Sequence, residues 1–120
     1  MTVLLIALGA AVGAPLRYLA DRAVQSRHGS AFPWGTLTVN VLGSLLLGVL
    51  VGLPASPAVS ALLGTGFCGA LTTYSTFGYE TLRLTRTGNR PAALANVLVS
   101  VTAGLAAATV GYTLARALTG

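Results

Sequence analysis

Gly64-Thr65-Gly66-Phe67-Cys68-Gly69-Ala70-Leu71-Thr72-Thr73-Tyr74-Ser75-Thr76-Phe77-Gly78-Tyr79-Glu80 lies between hydrophobic runs. It opens on Gly64, Gly66 and Gly69 and then crowds Thr72, Thr73, Ser75 and Thr76 together. A plain membrane helix has no use for so many adjacent hydroxyls. A water-soluble loop has no use for Phe67, Leu71, Tyr74 and Phe77 among them. The combination predicts a helix interrupted at membrane depth, where freed backbone groups must find an ion, water or neighbouring protein. In membrane proteins such interruptions mark ion and substrate sites.

A membrane is required by the rest of the chain. Of 120 residues, 54% are hydrophobic and only 8% charged. A soluble domain this small needs polar surface over much of its area. Two acids and seven arginines cannot supply it. The apolar runs are long and do not alternate, so the class is all-α integral membrane rather than β-barrel.

A span needs about 20 mostly apolar residues. Four segments meet this, at about 2–24, 34–53, 58–84 and 91–118, with the interruption inside the third. They form a single four-helix membrane domain, 1–120. Ser26-Arg27-His28-Gly29-Ser30 reads as a polar linker, and Pro33 suits the start of the second helix. Pro54-Ala55-Ser56-Pro57 reads as a tight turn. Thr85 to Pro91 reads as a polar turn with Pro91 opening the last helix. The run from Leu4 to Gly13 could pass for a signal peptide, but no positive charge precedes it, so a retained first helix is expected. Gly9 with Gly13, and Gly48 with Gly52, are spacings that let helices approach closely.

Arginine placement is asymmetric. Arg22, Arg27, Arg83, Arg86 and Arg90, with His28, flank the loops joining the first span to the second and the third to the fourth. Arg116 stands alone on the side of the termini. The positive-inside rule therefore makes those two loops cytoplasmic. The arginines sit at span ends rather than on one polar face, which excludes a nucleic-acid partner. Cys68 is the lone cysteine and reads as a small packing residue.

Within the spans a few polar groups stand out. Arg17 either snorkels to the interface or anchors carbonyls or an anion. Asn40 is either interhelical glue or a pore-lining group, and Thr36, Asn40 and Gly43 share one face able to lie against the third helix. Tyr74 and Phe77 point the same way on a helix. Their positive ring edges, with neighbouring hydroxyl donors, could line a track for a small anion. Asn96 and Ser100 form a second polar stripe. Glu80 is expected to pair with Arg83 three residues on. One histidine, one cysteine and two acids make neither a triad nor a metal cluster, so no enzyme is expected.

Three ordered motifs resemble the Fluc (also called CrcB) fluoride channels over nearly the full length. They are Gly13-Ala14-Pro15-Leu16-Arg17-Tyr18, Pro33-Trp34-Gly35-Thr36-Leu37-Thr38-Val39-Asn40-Val41-Leu42-Gly43, and Gly66-Phe67-Cys68-Gly69-Ala70-Leu71-Thr72-Thr73-Tyr74-Ser75-Thr76-Phe77. The third is similar to the family pattern Gly-Phe-Cys-Gly-x-x-Thr-Thr-Phe-Ser-Thr-Phe. The resemblance implies an antiparallel dimer in the cell membrane, with two pores that export fluoride passively. It implies that the backbone carbonyls of Gly69 and Thr72 hold a central structural Na⁺ shared between subunits. Asn40, Ser75, Thr76 and Ser100 would supply polar groups along the pores, and Tyr74 and Phe77 the two rings of an aromatic box. Arg17 and Glu80 match family positions. Tyr74 departs from the expected Phe, and Asn96 from an expected Tyr.

The resemblance implies an inverted second subunit as partner, either the same chain or a homologue. A chain that inserts both ways needs a weak arginine bias, and this bias is strong. A fixed orientation with an oppositely oriented homologue is thus one expectation, beside a homodimer. Two other readings fit less well. An exporter of organic cations wants a membrane-embedded acid, and Asp21 sits at a helix end. A non-transporting assembly factor has no use for the hydroxyls of Thr72 to Thr76.

Overall fold

The computed structural model describes residues 1–28 and 32–119, and all of Ser75 except its side chain. The molecule is all-helical. Helix α1 spans Thr2–His28 and α2 spans Trp34–Gly52. Pro57–Val59, Ser60–Cys68 and Gly69–Leu71 follow one another without a gap and make one rod, α3, over 57–71. Helix α4 spans Ser75–Arg86, and α5 spans Arg90–Thr119. Of these, α1, α2 and α5 are each long and apolar enough to cross a membrane. The third apolar segment is divided between α3 and α4.

Local chemistry sets the ends. Pro33 caps α2 as anticipated. Ser56 caps α3, its hydroxyl accepting from the Val59 N–H, with Pro57 in the first turn. Helix α1 runs a turn beyond the expected residue 24. Gln25, Arg27 and His28 tolerate helix, and the cationic end suits the carbonyl-rich C-terminus. His28 is thus helical rather than in a loop, its Nδ1 2.8 Å from the Val24 carbonyl. Its ring stacks on Trp34 at 5.4 Å. The Gly29-Ser30 part of the expected linker lies outside the described residues.

The middle of α3, Ser60–Cys68, is π-helical. That wider winding is rare and usually confined to one turn. Nothing in the sequence announces it.

Helix directions follow from which glycines meet which residues. Gly9 abuts Leu62 and Phe67, and Gly13 abuts Phe67, Ala70 and Leu71, so α1 and α3 run parallel. Gly48 abuts Ala108 and Gly52 abuts Tyr112, so α2 and α5 also run parallel. Asn40 meets Thr73 while Thr36 meets Glu80, so α2 opposes the α3–α4 segment. Successive segments α1, α2, α3–α4 and α5 therefore alternate in direction.

At Gly9 and Gly48 the approach is so close that a Cβ would strike the carbonyl of Leu62 or Ala108. Small residues at these crossings replace a hydrophobic core. The buried apolar residues are few, among them Val39, Leu50, Ala61, Leu71 and Ala115. Large ones such as Leu19, Val51, Leu94 and Leu105 face outward. That inside-out distribution suits lipid as solvent.

Candidate functional site

The site is built where α3 stops. Leu71 ends the rod, and Thr72 turns extended with φ −81° and ψ 161°. A helix C-terminus leaves its last four carbonyls without intrahelical donors. Here the Cys68 carbonyl accepts from both the Thr72 N–H at 3.0 Å and the Thr72 hydroxyl at 2.9 Å. In a continued helix the Thr73 N–H would go to Gly69. Instead it donates to Asn40 Oδ1 at 2.8 Å. Asn40 Nδ2 in turn donates to the Thr73 carbonyl at 3.0 Å. One amide side chain on α2 therefore replaces a missing turn of helix. Thr73 then starts α4, its hydroxyl accepting from the Thr76 N–H at 3.1 Å.

Two further ties hold α4. The Thr36 hydroxyl, almost fully buried, donates to Glu80 Oε1 at 2.6 Å. The Thr81 hydroxyl, itself donating to the Phe77 carbonyl at 2.9 Å, accepts from Asn96 Nδ2 at 2.8 Å. Asn96 is only 1% exposed, and its Oδ1 accepts from the Ser100 hydroxyl at 3.2 Å. Glu80 thus has Thr36 as its hydrogen-bond partner where Arg83 was expected. Arg83 shares a small pocket with the carboxylate without displacing Thr36. The reason is geometric: Thr36 lies one turn from Asn40 on the α2 face that meets α4, so both ties form together.

A groove of about 730 Å³ opens beside this junction, between α2, α3 and α5. It brings together Asn40, Gly69, Thr72, Tyr74, Phe77 and Ser100. Thr76, Arg17 and Glu80 are not among its lining residues, and the Ser75 side chain lies outside the described residues. Thr76 and Arg17 are half-buried. Arg17 lies one turn beyond Gly13, on the α1 face that meets the end of α3. The Tyr74 and Phe77 rings are tilted with centroids 6.3 Å apart, and Tyr74 is 86% exposed.

The groove divides into two chemical halves. Thr72 and Ser100 have spent their single protons internally, so they offer lone pairs. With the freed Gly69 carbonyl, the α3 end is rich in acceptors and suits a cation. Asn40 retains a second N–H beyond the one given to Thr73, and Phe77 and Tyr74 offer ring edges. That half suits a small anion.

The family model described as CrcB-like protein, Camphor Resistance (CrcB), matches residues 4–112. The chain belongs to the CrcB family. A Streptomyces avermitilis protein named fluoride-specific ion channel FluC 1 is 59% identical over 122 residues, covering 98% of each chain. A Frankia casuarinae protein of the same name is 57% identical over 129 residues, covering all of both chains. A Mycobacterium tuberculosis FluC 2 is 50% identical over 105 residues, 88% of this chain and 83% of that one. These CrcB relatives are named as ion channels, not enzymes.

For this CrcB chain, Thr73 and Thr81 are the residues that motif reading passed over. Thr73 stood within the hydroxyl run without a role of its own. Thr81 follows Phe77 by one turn, the spacing at which a hydroxyl returns to a helix carbonyl. A hydroxyl placed to meet Asn96 on the neighbouring helix was the available signal.

Proposed function

We propose that this chain is a subunit of a passive fluoride channel that releases cytoplasmic fluoride across the cell membrane. The observation that carries this is the Asn40–Thr73 junction. It holds non-helical backbone open beside the paired rings, in a chain 59% identical to a protein named fluoride-specific. The junction is the interruption at membrane depth, tolerated because protein rather than lipid satisfies it.

Two subunits in inverted orientation would face each other across the groove, giving two paths per dimer. Fluoride is small and strongly hydrated, so its water must be exchanged stepwise for fixed donors. Asn40, Tyr74, Ser75, Thr76 and Phe77 would provide the donors and ring edges, and Ser100, its proton given to Asn96, a polar wall beside them, with Arg17 and Glu80 as anchors near the ends. No residue set for coupling to ATP or protons is needed, because transport runs down the gradient. The loops α1–α2 and α4–α5, with their arginines, would be cytoplasmic.

A structural Na⁺ fits the acceptor half. The Gly69 carbonyl has lost its Thr73 donor to Asn40, and hard cations take oxygen ligands. The carbonyls of Gly69 and Thr72 would hold the ion, with the same pair from an inverted copy. The ion supplies positive charge where the α3 C-terminus carries partial negative charge.

Fluoride release from liposomes, followed with a fluoride electrode, tests the channel. Release is expected once an ionophore lets potassium balance the charge. Retention of fluoride by correctly assembled protein, both alone and with an inverted homologue, would refute the reading.

A further inference from the structure

Tyr74 caps helix α4 and Phe77 lies in its first turn, whereas Leu84, 5% exposed, is its one buried apolar side chain among the described residues and sits at the far end. Three polar ties position the end that carries the rings. Asn40–Thr73 and Thr36–Glu80 join the turn before α4 and its middle to α2. Asn96–Thr81 joins it to α5. Asn96 is the most buried polar side chain among the described residues, at 1% exposure.

The hydrogen bonds around it run in one direction. Ser100 donates to Asn96, Asn96 donates to Thr81, and Thr81 donates to the Phe77 carbonyl. The chain thus begins at a groove-lining hydroxyl and ends on the backbone of a groove-lining ring. A buried amide in a span is costly unless both ends are paired, and here both are. Linked hydrogen bonds of this kind also polarise one another.

We propose that Asn96 is a positioning residue for the anion path, an inference that rests on the channel reading. Through Thr81 it fixes the height of Phe77 against α5. Through Ser100 it fixes which way that hydroxyl points. It touches no ion itself. Sites held a fraction of an ångström too loosely lose function while remaining folded. Release of this tie therefore slows each channel without dismantling the protein.

The test uses liposomes loaded so sparsely that a vesicle holds at most one assembled channel. The fraction of vesicles that empty then counts assembled channels, and the emptying rate reports each one. Asn96→Leu, Thr81→Val and the double variant are compared with wild type. Each single change is expected to slow emptying about tenfold, the scale of one buried hydrogen bond. The double variant is expected to be no slower than the slower single, since both cut one chain. The emptied fraction stays at the wild-type level. Should Asn96→Leu not assemble, Thr81→Val carries the test alone, being isosteric. A fall in emptied fraction at unchanged rate would overturn the proposal in favour of a purely structural tie. So would single effects that multiply in the double variant, or variants as fast as wild type. Wild-type vesicles that retain fluoride would instead overturn the channel reading, and this inference with it.

Discussion

Asn40 shows how far a residue can be read from sequence. A membrane Asn must be paired, and Thr36, Asn40 and Gly43 share a face; both points follow from spacing and cost. The identity of the partner does not, because Thr73 lies 33 residues away and offers backbone rather than side chain. The structure gives Asn40 the bracing role through two hydrogen bonds to Thr73, with one N–H left over. Replacing it by Leu removes both bonds and strands the Thr73 N–H and carbonyl. A stranded buried group costs about 1–3 kcal/mol. Asn40→Leu is therefore expected to lower the thermal midpoint of the detergent-solubilised protein and to abolish fluoride release. A variant with wild-type melting and wild-type release would contradict the bracing role. Glu80 teaches the opposite lesson. Local spacing favoured Arg83, but a buried Thr36 hydroxyl from another helix took the carboxylate. Short-range pairing rules cannot see such a competitor.

At the scale of elements, the all-helical class and the existence of long apolar spans were legible, because bilayer thickness fixes their length. The end of α1 was not, since Gln25 to His28 are polar without being helix-breaking. The π-helical winding of Ser60–Cys68 was illegible for a different reason: no residue type demands it. Its setting is the α1 crossing, where Gly9 and Gly13 let α1 lie against the α3 backbone. A Cβ at Gly9 would collide with the Leu62 carbonyl and come within 2.7 Å of the Phe67 nitrogen. Both are main-chain atoms that cannot rotate away. Gly9→Ala is therefore expected to cost about 1–3 kcal/mol, the range of overpacked interiors. Stepwise heating followed by size-exclusion chromatography measures this. A variant as heat-stable as wild type would show that α1 and α3 can separate freely.

At the scale of the whole molecule, the arginines bear on how the groove is covered. The groove carries polar groups and a largely exposed Tyr74, an arrangement that suits cover by a second subunit rather than by lipid. Inverted pairing can arise in two ways. Either one chain inserts in both orientations, or two chains each insert in one. The arginines discriminate. Arg22 and Arg27 lie in the last turns of α1, Arg83 and Arg86 in the last turns of α4, and Arg90 opens α5. Parallel α1 and α3, and α2 opposed to α3–α4, bring these ends to one side of the molecule. Arg116 is at the other. A bias this strong is expected to fix orientation. Thr87 is exposed in the turn between α4 and α5, and Cys68 is buried, so Thr87→Cys offers a clean label. Added to intact cells, a membrane-impermeant thiol reagent is expected to leave Thr87→Cys untouched until the membrane is opened. That outcome would call for an oppositely oriented homologue to complete the groove. Labelling of about half the protein from outside would mean that inserted copies point both ways despite the arginines. In that case the chain pairs with itself, and the Tyr74 departure belongs to both halves of the channel rather than to one.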